Sequence, residues 1–189
     1  GIEVHEYHTA IRVAGWSASD AQAGGAPGTR ADAVDSPVEG MSVSACRVER
    51  IGEIANNQPS ADPLARTMND AYTAIALFYV NDSVFRDNRF VDVVNFGNWL
   101  ENKILMHAIY TKLSDQNLFV GNTFTNVSGT PIKFRNSSDR NVVVANVFEA
   151  GPHSVTRTPT QDWYCDWPDI GGRSECAVLA LPSFGNTLL

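Results

Sequence analysis

Two of the three lysines in this chain, Lys112 and Lys133, sit in short segments of the same shape, HAIYTK and PIKFR. Apolar alternation that turns Ile109 and Ile132 inward sends Tyr110 and Lys112 outward from one strand. On the other strand it sends Lys133 and Arg135 outward. If the two strands are parallel neighbours, ~4.8 Å apart, Tyr110 stacks over Lys133 and Lys112 over Arg135. Like charges stacked this closely repel unless an anion or an acidic neighbour compensates. The chain as a whole is acidic, with 14 basic and 21 acidic residues and a net charge of −7, so this concentration of cations is local. It suits an acidic polysaccharide. Elimination from a uronate needs its carboxylate neutralised, so that the adjacent C–H becomes acidic, and then a base to take the proton. Arg135 is the candidate for the carboxylate, because its fork favours bidentate contact. Lys112 is the candidate base, its proton loosened by the neighbouring cations. Tyr110 serves as an alternative base or as the acid that protonates the leaving oxygen. Lys133 assists substrate binding.

Other residues have two readings each. His107 shares the parity of Ile109, which makes it a core or bend histidine bonded to backbone, or a substrate contact beside the patch. Trp163, Tyr164 and Trp167 alternate with Asp162, Asp166 and Asp169. Aromatic faces beside carboxylates can hold a sugar ring, and two such acids can form a hydrolase pair; the same tryptophans can simply pack a loop. His5 and His8 in HEYH fall on opposite faces of a strand, so no metal site is expected there.

The elements that position these groups show in a repeat. SVFRDNRFVDV, NLFVGNTFTNV and NVVVANVFEAG share a frame in which an apolar residue precedes an asparagine by three and a phenylalanine follows by two. The matched residues are Phe85, Asn88 and Phe90, then Phe119, Asn122 and Phe124, then Val143, Asn146 and Phe148. SVSACRVERIG fits with Val43, Cys46 and Val48, and the frame resumes at Asn186. A second strand precedes each unit, with Ile75, Ile109 and Ile132 in equivalent places. β-Branched and aromatic residues dominate and helical spacing is absent. An all-β parallel solenoid follows, with roughly 23 residues per coil, asparagines stacked at a bend and Phe90, Phe124 and Phe148 stacked in the core. Long loop insertions are expected at residues 17–39 and 54–70. Length and a 43% hydrophobic content allow one folded domain over residues 1–189.

The stretch HAIYTKLSDQNLFVGNTFTNVSG followed by PIKFRNSSDRNVVVANVFEAG resembles the right-handed parallel β-helix of the pectate-lyase-like superfamily. Within it, a lysine on one coil followed by an arginine on the next is similar to the alginate-lyase and chondroitinase-B type of lyase. That resemblance implies a polysaccharide lyase or epimerase, with Lys112 and Arg135 at similar places. It also implies calcium, yet residues 104–109 hold no acidic ligand where such enzymes carry theirs, and Asn136 stands in the place of their histidine. No cofactor ligands are therefore identifiable. The superfamily also includes adhesins and tailspike fibres, so a non-catalytic extracellular solenoid is the alternative.

Cys165 and Cys176 flank a Pro- and Gly-containing loop and are expected to form a disulfide, which suits an exported protein. Cys46, in the asparagine frame, is expected to be a buried single thiol. Strand-like ends without obvious caps lead to the expectation of a longer solenoid, or of a partner chain or second copy covering an end. The acidic balance argues against nucleic acid, and no apolar run reaches membrane-spanning length.

Overall fold

The computed structural model describes residues 3–5, 11–14, 37–52, 73–95, 106–135, 138–155, 159–162 and 186–189. Every regular element among them is a short β-strand. The first are β1 (Glu3–His5), β2 (Ile11–Ala14), β3 (Val38–Glu39), β4 (Ser42–Ser44) and β5 (Arg47–Ile51). β6 (Thr73–Phe78), β7 (Val80–Asn81), β8 (Val84–Arg86) and β9 (Arg89–Val93) follow. Next come β10 (His107–Lys112), β11 (Leu118–Val120) and β12 (Thr123–Val127). The last are β13 (Ile132–Arg135), β14 (Val142–Val144), β15 (Val147–Glu149), β16 (Thr160–Asp162) and β17 (Thr187–Leu188).

Three five-stranded sheets run β2-β6-β10-β13-β16, β4-β8-β11-β14-β17 and β1-β5-β9-β12-β15. A two-stranded sheet joins β3 to β7. All pairs are parallel, and each strand stacks on its counterpart from the preceding unit, an arrangement consistent with a parallel β-solenoid. The three strand faces share one core. Ile75, Leu77, Ile109, Ile132 and Phe134 fill it from the first sheet, Phe85, Phe119 and Val143 from the second, and Val48, Phe90 and Phe124 from the third. Phe90, Phe124 and Phe148 stack with ring centroids 4.9 and 5.0 Å apart and nearly parallel planes. Phe85 and Phe119 stack at 5.0 Å.

The bends between strands are built the same way each time. A residue in the left-handed region turns the chain: Ala45, Asp87, Gly121 and Ala145 at one bend, Gly40, Asp82, Gln116 and Arg140 at another. For a residue with a Cβ this conformation costs roughly 1–2 kcal/mol. The residue that follows offsets that cost by bonding along the stack. Cys46 N donates to Asn88 Oδ1 (3.0 Å), Asn88 N to Asn122 Oδ1 (3.0 Å) and Asn122 N to Asn146 Oδ1 (2.8 Å). The amide nitrogens of Asn88, Asn122 and Asn146 donate back to the carbonyls of Val43, Phe85 and Phe119. A second ladder links Ser83, Asn117, Asn141 and Asn186 by the same backbone-to-Oδ1 bonds of 3.1, 3.0 and 2.8 Å. Cys46 is buried and free, donating its thiol to Ser44 O at 3.4 Å.

The end of one expected loop is strand. The last two residues of the stretch expected to run to residue 39 are strand: Val38 pairs with Val80 and donates its N–H to Tyr79 O (2.9 Å). Val38 is β-branched and partly buried against the core, which explains its place in a strand. The rest of that stretch up to residue 36, the expected loop at 54–70, and both Cys165 and Cys176 lie outside the described residues.

Candidate functional site

Strands β10 and β13 pair with Ile109 opposite Ile132, Tyr110 opposite Lys133, and Lys112 opposite Arg135. On the other side of β10, Tyr110 meets Ala76 and Lys112 meets Phe78. Alternation therefore places Tyr110, Lys112, Lys133 and Arg135 on the outer face of the first sheet, while their neighbours Ile109, Thr111, Ile132 and Phe134 are buried on the inner one. Tyr110 lies 6.3 Å from Phe78, centroid to centroid. Arg135 donates from Nη1 to Tyr110 Oη at 3.0 Å. This bond ties the two strands together through their outward side chains.

Part of the outer face of this sheet is screened from water, while Phe78, Tyr110, Lys112 and Arg135 on it stay partly exposed. By alternation with Ile75, Ile109 and Ile132, that face also carries Ala74, Ala76 and Ala108 beside Lys133, yet none of these four is more than 5% exposed. On the third sheet the outward Arg47, Arg89, Val147 and Glu149 are exposed, as the outer face of a sheet ordinarily is. Screening changes the chemistry of the cations. Burial, reinforced by the Arg135 charge, lowers the Lys133 ammonium from the usual lysine range to about 8. A neutral amine is thus accessible to Lys133 near physiological pH. The sequence pointed to Lys112 for this state, and it carried no signal that an outward lysine on the next strand is buried.

His107 occupies the first position of β10, is 1% exposed, and has Nδ1 2.8 Å from Thr130 O. A carbonyl accepts only, so Nδ1 carries the proton and Nε2 is left with a lone pair. The ring stacks on Tyr110 with centroids 6.1 Å apart. Burial, and then the Lys133 charge, lower its pKa to about 3 against the pull of the Thr130 carbonyl. Histidine here is a neutral support beneath Tyr110, bonded to backbone at a strand's start. Its titration has a sign that can be checked. The unfolded chain binds a proton at His107 below about 6.5, and the folded chain resists it down to about 3. Stability therefore falls as pH drops through that window, by roughly 3 kcal/mol between pH 7 and pH 4 from this residue. Urea unfolding of the native chain and of His107→Gln at both pH values reads the difference. Equal acid sensitivity of the two would remove the neutral histidine from the account.

Trp163, Tyr164 and Trp167 lie outside the described residues, as do Asp166 and Asp169. The backbone of Asp162 continues the first sheet, opposite Phe134. Among the described residues no three histidine, cysteine, aspartate or glutamate side chains gather as a metal site would require, and no helix is long and apolar enough to cross a membrane. Asp115, half-buried at a bend, accepts from the backbone N–H of Asp139 (2.8 Å). Burial raises its carboxyl above the usual range. Its hydrogen bonding is structural. Comparison with family models, curated proteins and solved structures finds no match.

Proposed function

We propose that the chain is a right-handed parallel β-helix of the pectate-lyase-like type, with about 23 residues per coil, whose first-sheet outer face handles an acidic polysaccharide as a lyase or epimerase. The observation that carries this reading is the cluster of Tyr110, Lys112, Lys133 and Arg135 on one outer face of an acidic chain, with Tyr110, Lys112 and Arg135 partly open to solvent. Three cations gathered on one face of an acidic chain attract an anion. In this reading Arg135 takes the uronate carboxylate and withdraws charge from it, which acidifies the neighbouring C–H. An amine of the cluster removes that proton, Lys112 being the residue the sequence nominates, and Lys133 adds to carboxylate binding. Tyr110 protonates the leaving oxygen for elimination, or acts from the opposite face of the ring for epimerisation. Export from the cell fits such a substrate, and a partner chain or second copy on a solenoid end belongs to the same proposal. No cofactor is invoked. Calcium enters only if added ion changes the activity.

The test is incubation of the chain with a panel of uronate polymers, following the ultraviolet absorbance of unsaturated uronate and the exchange of the acidic C–H for deuterium by NMR. Elimination or exchange by the native chain, lost in Arg135→Ala, is the expected result. Polymer binding without either signal would replace the enzyme by the non-catalytic solenoid of adhesin or tailspike type. Absence of binding would remove the polysaccharide altogether.

A further inference from the structure

We propose that the end of the stack formed by β15 and β17 docks a strand–bend–strand unit of another polypeptide, one that carries the asparagine frame of this chain. In that frame an apolar residue precedes an asparagine by three and an aromatic residue follows it by two. The proposal narrows the end-covering partner of the reading above and stands apart from any chemistry on the first-sheet face. Three observations carry it. The first is an unfinished ladder. Cys46, Asn88 and Asn122 each donate a backbone N–H to the side-chain oxygen of the next unit. Among the described residues no such oxygen meets the N–H of Asn146. The second is an unfinished core. Leu188 continues the column of Val43, Phe85, Phe119 and Val143, but it is 50% exposed where Phe85 and Phe119 are fully buried. Phe148 ends the phenylalanine column, with Phe124 at 5.0 Å on one side, and is only partly buried. The exposed large apolar side chains among the described residues are Val147, Val155, Leu188 and Leu189, and all belong to β15, β17 or the residues that follow them. The third is an open edge. Val147 donates back along the stack to Asn122 O (2.8 Å), so the N–H and C=O of Phe148 point away from it. β15 consists of Val147, Phe148 and Glu149 and holds neither the lysine nor the proline that ordinarily guards an edge.

The chemistry of the occupant follows from how each earlier unit of the stack is held. A unit seated in the same register puts its apolar residue over Leu188, its asparagine over Asn146 and its aromatic ring over Phe148, as β11 and β12 sit on β8 and β9. The incoming Oδ1 then accepts from Asn146 N and the incoming amide donates to a carbonyl of the stack. Asn122 makes that pair of bonds with Asn88 N and Phe85 O. Parallel pairing along β15 satisfies the N–H and C=O of Phe148. An apolar strand without the asparagine would cover the same surface but bury the Asn146 N–H without an acceptor, which selects against it. The unit comes from a different polypeptide, because in a second copy the units of Asn88, Asn122 and Asn146 are already paired along the face they would need.

The test is binding of a labelled synthetic peptide that copies residues 117–127, NLFVGNTFTNV, to the full chain. Fluorescence anisotropy reads the affinity and amide hydrogen exchange reads the place. The native peptide is expected to bind saturably and to protect the Asn146 and Phe148 amides of the chain from exchange. The same peptide with Asn122→Leu should bind about tenfold more weakly or worse, because it leaves the Asn146 N–H unpaired. Leu188→Glu in the chain should weaken the native peptide by a similar factor, since docking then buries a carboxylate. Circular dichroism reports whether that variant is folded. Should it not fold, protection of the two amides in the native chain decides the place instead. No binding of the native peptide, equal binding of the two peptides, or binding without protection of those amides overturns the proposal. So does self-association of the chain alone that the peptide fails to displace, which gives this end to a second copy. The uronate assay reads the first-sheet face by itself, so the two proposals fail separately.

Discussion

Replacing Asn122 by leucine is expected to destabilise the fold by roughly 3–6 kcal/mol, one of the largest effects of any single polar substitution in the chain. Asn122 is buried and works in three directions. Its Oδ1 accepts from Asn88 N (3.0 Å) and Asn88 Nδ2 (2.9 Å). Its Nδ2 donates to Phe85 O and to Asn146 Oδ1, at 2.8 and 2.9 Å. Leucine has nearly the same length and none of these atoms. It would strand the buried backbone N–H of Asn88 and the buried carbonyl of Phe85, each costing about 1–3 kcal/mol, while Asn146 loses one donor to its Oδ1. The left-handed bend at Gly121 would persist without the bond that anchors it. Urea unfolding at neutral pH measures the loss. Thr125→Ala is the comparison: its hydroxyl bonds Glu149 at 2.9 Å on an exposed face, and its removal should cost within about 0.5 kcal/mol. Similar losses for the two would mean that the asparagine stack is ornamental to stability.

Phe124→Ala should cost about 3–5 kcal/mol by leaving a cavity in the centre of the core. Phe124 lies between two parallel rings, Phe90 at 4.9 Å and Phe148 at 5.0 Å, and is 1% exposed. Truncation removes both ring contacts, each adding about 0.5–1.5 kcal/mol beyond the area buried. The stacked strands on either side are pinned by backbone bonds, so the cavity has little freedom to collapse. Phe148→Ala should cost less, because its ring meets Phe124 on one side and is only partly buried. The ratio of the two losses in the same unfolding assay is the informative number. Equal losses would mean that the column does not act as a stack.

A solenoid displays much of itself in one dimension, and this chain shows where that ends. Each unit packs against the next in fixed register, so an inward residue recurs at matching positions, and Phe90, Phe124 and Phe148 could be aligned from the repeat alone. The register of Tyr110 on Lys133 and Lys112 on Arg135 follows from the same alternation. One asparagine ladder showed itself because Asn88, Asn122 and Asn146 each stand two residues before a phenylalanine. The other did not, because serine stands in it at Ser83 and its asparagines directly precede strands that read as ordinary β segments. The left-handed bends carried no compositional mark, since Ala45, Asp87, Gly121 and Ala145 share a conformation and no side-chain chemistry.

Local pattern determined that the chain is all-β, which residues face inward and which outward, and which outward residues become neighbours, because strand periodicity and repeat spacing are short-range properties. Only the tertiary structure decided which part of an outer face is dry. Screening of a sheet face depends on what the rest of the fold brings over it, and no alternation pattern encodes that. Dryness is what separates two outward lysines of similar sequence setting, leaving Lys112 partly solvated and Lys133 buried beside a second cation. It also places the neutral His107 beneath Tyr110, held through Nδ1 to a carbonyl that the sequence could not bring near.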